Sequence, residues 1–107
     1  MTALEPCPLL IGERWVHDHG CATVPLHNPS TGETLAAVPL CGEREVDRAV
    51  RAALAVAPAW QATPAVDRAR VMFRYQAILN READALARLI AREEGKTFAE
   101  AIDAIKK

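Results

Sequence analysis

Beyond Gly42 no stretch of the chain alternates apolar and polar residues over a strand's length, and apolar residues instead recur three and four apart to the end, which restricts everything after that glycine to helices. Val46, Ala49, Val50, Ala53, Leu54 and Ala57 form one helical face, and Pro58 is expected to end that first helix. Thr63-Pro64 reads as an N-cap followed by proline at the first helical position. From there Val66, Ala69, Met72, Phe73, Tyr75, Ile78 and Leu79 carry a second helix to about Asn80, leaving Trp60 in the joint. A third helix passes through Leu86, Leu89 and Ile90 to Gly95, a left-handed C-cap. Its Glu93 and Glu94 sit at the negative end of the dipole and need compensation from outside the helix. Thr97-Phe98-Ala99-Glu100 is a capping box opening a fourth helix along Ala101, Ile102 and Ile105. Ile105-Lys106-Lys107 supplies no stop signal, so this helix is expected to be truncated.

The residues before Gly42 read as strands and turns. Leu9-Leu10-Ile11 and Arg14-Trp15-Val16 flank Gly12-Glu13 as a hairpin with a tight turn. Thr23–His27 and Thr34–Val38 flank Asn28-Pro29-Ser30-Thr31-Gly32-Glu33, where Asn-Pro starts a turn and Gly32 supplies a positive φ. Pro25 and Pro39 cannot donate to a ladder, so these strands belong at an edge and not in a central parallel sheet. The domain reading is a tail over residues 1–8 and an incomplete domain over 9–107.

Hydrophobic residues at 50% and charged ones at 25% describe a globular chain, not a disordered one. Its 13 basic and 14 acidic residues are dispersed, without the basic stripe that nucleic acid requires. No apolar run approaches the roughly 20 residues that span a bilayer. Met1 to Pro8 lack the cationic start of a signal peptide, so neither nucleic acid nor membrane is expected as a partner, and the expected location is cytoplasmic.

Cys7, Cys21 and Cys41 are too widely spaced for a Cys-x-x-Cys site and read as small fillers. His17-Asp18-His19-Gly20-Cys21 is the one cluster in which His17, His19 and Cys21 could share a metal. A polar loop between strands collects the same residues, and that is the preferred reading.

The Asn28–Glu33 turn resembles the Asn-Pro-(Ala/Ser)-Thr-Gly-Glu that aldehyde dehydrogenases carry between two early strands. Ile11-Gly12-Glu13-Arg14-Trp15-Val16 is similar to that family's opening hairpin, and Val46-Asp47-Arg48-Ala49-Val50 to its first helix. Pro58-Ala59-Trp60 resembles the end of that helix, and Glu94-Gly95-Lys96-Thr97 its Glu-x-Gly-Lys turn. Five such matches lie in register over residues 9–105. Phe73-Arg74-Tyr75-Gln76 further resembles the methylmalonate-semialdehyde (malonate-semialdehyde) branch, whose members are CoA-acylating; succinate-semialdehyde or general aldehyde dehydrogenases are the alternatives within the family.

The resemblance implies the N-terminal part of an α/β aldehyde dehydrogenase fold: two short β-hairpins and about four helices of an NAD-binding domain. NAD, with CoA as co-substrate, is implied for a full-length enzyme that oxidises an aldehyde through a cysteine thioester and forms homo-oligomers. The remainder of the dehydrogenase chain is then the expected partner. No Gly-x-Gly-x-x-Gly is present, the family has no catalytic cysteine where Cys7, Cys21 and Cys41 fall, and no catalytic, cofactor-binding, substrate-binding or metal residue is assigned in this chain. By itself it is expected to be inactive. Lys107 falls about where the branch carries a carboxylate-recognising arginine, but lysine lacks the bidentate fork, and Asp103-Ala104-Ile105 replaces the family's Gly-(Asp/Glu)-Val. Lys106, Lys107, Arg68, Arg70 and Arg74 are therefore read as solvated helix surface. The alternative from another class is a stand-alone helical module that binds a separate protein through its apolar faces.

Overall fold

The computed structural model describes residues 4–107, and these group into two compact units. The first comprises the chain up to Leu26 together with Thr34–Ala62. In it, β1 (Leu9–Ile11) and β2 (Arg14–Val16) pair antiparallel, Leu9 with Val16, Leu10 with Trp15 and Ile11 with Arg14. Two turn residues connect them, and both have positive φ, 56° at Gly12 and 67° at Glu13. That is the type I′ geometry whose twist suits a two-residue hairpin. A Cβ on Gly12 would stand 3.3 Å from Ala52 Cβ, so this glycine also lets the turn approach the helix that follows.

β3 (Ala22–His27) and β4 (Thr34–Leu40) form a second two-stranded sheet. Every strand in a two-stranded sheet has an open side, which accommodates Pro25 within β3 and Pro39 within β4. β4 runs two residues further than the sequence pattern indicates, through Pro39 to Leu40. In the segment expected as a tail, Pro6 bridges Ala37 in parallel and the Cys7 N–H donates to the Ala37 carbonyl at 2.9 Å. Residues 6 and 7 thus add to the pairing of β4.

Helix α1 (Glu43–Ala62) opens with Glu43 and Glu45 at its positive end, and the Glu45 carboxylate accepts from the Gly42 N–H at 3.1 Å. The expectation that Pro58 stops this helix is corrected: α1 passes through Pro58 and ends at Ala62. Proline removes one intrahelical bond without preventing a further turn. Trp60 accordingly lies within α1 and not in a joint.

The second unit comprises His27–Glu33 and Thr63–Lys107. Helix α2 (Ala65–Arg81) begins one residue later than expected, with Pro64 itself at the cap position. The Pro64 carbonyl accepts from Asp67 and Arg68, each at 3.0 Å, in place of a side-chain cap. Glu82 alone separates α2 from α3 (Ala83–Glu94): its N–H donates to Ile78 at 2.9 Å, and its carbonyl accepts from Leu86 at 3.0 Å. Gly95, φ 77°, closes α3, and α4 (Phe98–Lys106) follows.

The fully buried apolar side chains among the described residues are three alanines, Ala83, Ala87 and Ala101. They let α3 and α4 approach closely, with Arg88 stacked 5.8 Å from the centre of the Phe98 ring. The larger apolar side chains lie open: Val46 is 57% exposed, Leu54 65% and Phe73 67%. No helix among the described residues is long and apolar enough to cross a membrane.

Candidate functional site

Three places gather the residues that the sequence singles out. The first is the loop from His17 to Cys21. The Cys21 N–H donates to His19 Nδ1 at 3.2 Å, and His19 Nε2 lies 3.1 Å from the Cys7 carbonyl. A neutral ring protonated at Nε2 satisfies both contacts at once, so His19 ties this loop to the segment beside β4. With both ring nitrogens engaged by backbone, His19 has no lone pair to offer a cation. Among the described residues no three His, Cys, Asp or Glu side chains converge as a metal-ligating group, His17, His19 and Cys21 included.

The Cys21 thiol is pushed up from the ordinary range, first by burial and then by the adjacent Cys41 thiol. A thiol held in its protonated form is a poor nucleophile. Cys41 is exposed and Cys7 half-buried.

The second place is an open cleft of about 540 Å³ in the first unit, where the Gly12-Glu13 turn faces Ala49, Ala52, Ala53 and Val56 of α1. Leu10 and Ile11 complete its lining, and Glu13 is the one charged side chain in it. A catalytic pocket needs several convergent polar groups; this cleft is an apolar packing surface.

The third place lies in the second unit and joins two motifs distant in sequence. Within the Asn28–Glu33 turn, the Asn28 side chain accepts from the Ser30 N–H at 2.8 Å and the Asn28 carbonyl accepts from Gly32 at 2.8 Å. Asn28 N–H donates to the Glu33 carbonyl at 2.8 Å, and Thr31 Oγ1 accepts from Glu33 at 3.2 Å. Gly32, φ 76°, allows the reversal. This turn lies against the Gly95 turn: a Cβ on Gly95 would be 3.0 Å from Pro29 Cγ and 3.7 Å from Ser30 Oγ. One glycine therefore serves as helix C-cap and as the contact point for a turn more than sixty residues earlier.

Beyond Gly95, Lys96 Nζ lies 3.2 Å from a Glu94 carboxylate oxygen, supplying part of the compensation that the acidic helix end needs. Thr97 then caps α4. Its Oγ1 accepts from the Glu100 N–H at 3.3 Å, and the Glu100 carboxylate accepts from the Thr97 N–H at 3.1 Å and from Thr97 Oγ1 at 3.0 Å. These bonds, led by the backbone one, hold the Glu100 carboxyl below the usual glutamate range. Arg70 pairs with Asp67 at 2.9 Å on the exposed surface, as a solvated residue does. Arg68 departs from that expectation: half-buried, it donates Nε to the Thr63 carbonyl at 3.1 Å, a backbone partner that helical spacing cannot reveal.

A dinucleotide needs free backbone N–H groups at a helix start. Here Glu45 takes the Gly42 N–H before α1, and Glu100 takes the Thr97 N–H before α4. Pro64 has no N–H to offer before α2, and the Glu82 N–H before α3 is bonded to Ile78. One backbone N–H ahead of each of α1, α3 and α4 is thus engaged within the chain.

The aldehyde dehydrogenase family model matches residues 15–107. Malonate-semialdehyde dehydrogenase 2 of Geobacillus kaustophilus is 39% identical over 106 residues, which is 99% of this chain but 22% of that protein. Among solved structures, methylmalonate-semialdehyde dehydrogenase from Oceanimonas doudoroffii superposes with a TM-score of 0.86 at 33% identity, covering 97% of this chain and 21% of that one. Lactaldehyde dehydrogenase from Escherichia coli gives a TM-score of 0.90 at 26% identity, covering 96% and 22%. The chain thus spans about a fifth of the length of the relatives it matches. With the family model covering most of its residues and its hairpins and helices superposing on solved members, this chain belongs to the aldehyde dehydrogenase family.

Proposed function

We propose that this chain works as a structural part of a malonate- or methylmalonate-semialdehyde dehydrogenase, framing the enzyme without supplying a reacting group. The observation that carries the reading is the pairing of near-complete coverage of this chain with about a fifth of the relatives' length. The open apolar faces of α1 and α2 support it, since Leu54 and Phe73 need a surface to cover them. In the whole enzyme the aldehyde is oxidised through a cysteine thioester, NAD accepts the hydride, and CoA receives the acyl group. The nucleophile, the base and the NAD-binding glycines belong to the remainder of the enzyme. A protonated, raised Cys21 accords with a catalytic thiol placed elsewhere. The assembly is a cytoplasmic homo-oligomer on this reading.

Capture of the native protein with an antibody to this segment, followed by assay of the captured material, tests the proposal. The expected result is CoA-stimulated NAD reduction with malonate or methylmalonate semialdehyde and little with succinate semialdehyde. Activity that favours succinate semialdehyde, or is indifferent to CoA, would overturn the substrate assignment. NAD reduction by the isolated 107-residue chain would overturn the structural role.

A further inference from the structure

A run of three hydrogen bonds passes through His19 in the first unit. The Cys7 N–H donates to the Ala37 carbonyl of β4 at 2.9 Å, and the Cys7 carbonyl lies 3.1 Å from His19 Nε2. His19 Nδ1 in turn accepts, at 3.2 Å, from the N–H of Cys21, the residue directly before β3. The ring therefore joins residue 7, itself bonded to β4, to the entry of β3. Its two partners cannot exchange roles. A carbonyl only accepts and an amide N–H only donates, so the ring proton sits on Nε2 and Nδ1 is the acceptor. A second proton can enter the ring only at Nδ1, where it meets the Cys21 N–H donor to donor.

We propose that His19 is an acid-released clasp: a proton taken up at Nδ1 expels the Cys21 N–H and frees the entry of β3, while the bond from Nε2 to the Cys7 carbonyl is kept. The N–H of a charged ring is the stronger donor, so acid loosens one side of the clasp and tightens the other. The bond to Cys21 exists only with the neutral ring. It is present at the alkaline end of the range in which histidines titrate and is lost as pH falls through that range. His17 and Asp18 stand on the same loop, the segment of residue 7 carries Glu5 and Cys7, and Cys41, Glu45 and Arg44 act electrostatically on the Cys21 thiol. Of these side-chain types only histidine ordinarily changes charge between about pH 5 and about pH 8, which leaves His17 as the competing origin of a response there. The raised Cys21 thiol stays protonated through that range, and its weak contact with the His19 carbonyl, 3.8 Å, does not involve the ring.

The test is hydrogen exchange of the whole gene product, read at single amides by mass spectrometry from about pH 8 to about pH 5, with each rate divided by its intrinsic value at that pH. The expected result is a fall in Cys21 protection of roughly 3- to 10-fold as pH drops, the worth of one hydrogen bond, with no fall at Cys7. The Cys7 amide is bonded to Ala37 and not to the ring, so it also reports that each variant keeps this part of the fold. His19→Gln, whose amide can donate and accept but does not titrate, should abolish the response at Cys21. His17→Gln should leave it. The readings on the unsubstituted protein and on His17→Gln stand even where His19→Gln disturbs folding. Cys21 protection that is constant across the range, that falls together with Cys7, that still responds in His19→Gln, or that no longer responds in His17→Gln would overturn the proposal.

Discussion

Gly95 combines a φ of 77° with a neighbour, Pro29, whose ring would stand only 3.0 Å from an added Cβ and would have to give way. Gly95→Ala therefore meets two costs, a left-handed backbone worth about 1–2 kcal/mol and displacement of the proline ring. Local opening of the Asn28–Glu33 turn and of the first turn of α4 should become roughly 5- to 30-fold more frequent. Amide hydrogen exchange at Gly32 and Ala101 reads this, and unchanged exchange at both would contradict the contact. Glu13 is the reverse case, a residue with a side chain at φ 67°. Glu13→Gly relieves about 1 kcal/mol of left-handed cost and adds about half that in chain entropy, for a net gain of about 0.5 kcal/mol. Urea unfolding followed by Trp15 fluorescence checks the sign. Both glycine-containing turns were legible from sequence because a turn of fixed geometry restricts residue type. The meeting of Pro29 with Gly95 was not, since nothing in local spacing encodes a contact more than sixty residues apart.

The elements most legible from sequence were those with their own terminal chemistry. The capping box of α4 and the Gly95 end of α3 fell where the residues placed them, because each satisfies backbone groups locally. The end of α1 was misread at Pro58, and the start of α2 was placed one residue early. Proline at both positions admits more than one helical register, and tertiary context decides between them. The Thr97 cap also sets a pH dependence. The folded Glu100 carboxyl lies below its unfolded value, so its contribution is present at neutral pH and above the unfolded value, and is lost as pH falls through the folded one. Acid should loosen the first turn of α4, with the Thr97 amide resonance tracking the Glu100 carboxyl. Thr97→Ala should cost about 1 kcal/mol and abolish most of that acid response. An acid response of the same size in the variant would place its origin elsewhere.

At the scale of the whole molecule, the sequence reading recovered two hairpins followed by four helices, and the apolar stripes of α1 and α2 lie largely in solvent. A core whose buried members among the described residues are Ala83, Ala87 and Ala101 offsets only part of the ordering entropy and leaves the isolated chain marginal. The isolated chain should unfold in a broad transition, with a calorimetric enthalpy that differs from the van't Hoff value; a sharp two-state transition at low concentration would count against an uncovered surface. On the reading proposed above, no catalytic centre was legible in this chain because its residues supply packing and turns while the reacting groups belong to the rest of the enzyme. The central claim, that they are part of a larger dehydrogenase, is tested most directly by the intact mass of the native gene product, captured with an antibody to this segment. The expected result is a mass several-fold above 11.6 kDa, as proteins spanned only about a fifth by this chain require. A product of about 11.6 kDa would contradict the claim and turn the exposed faces of α1 and α2 into the binding surface of a separate partner.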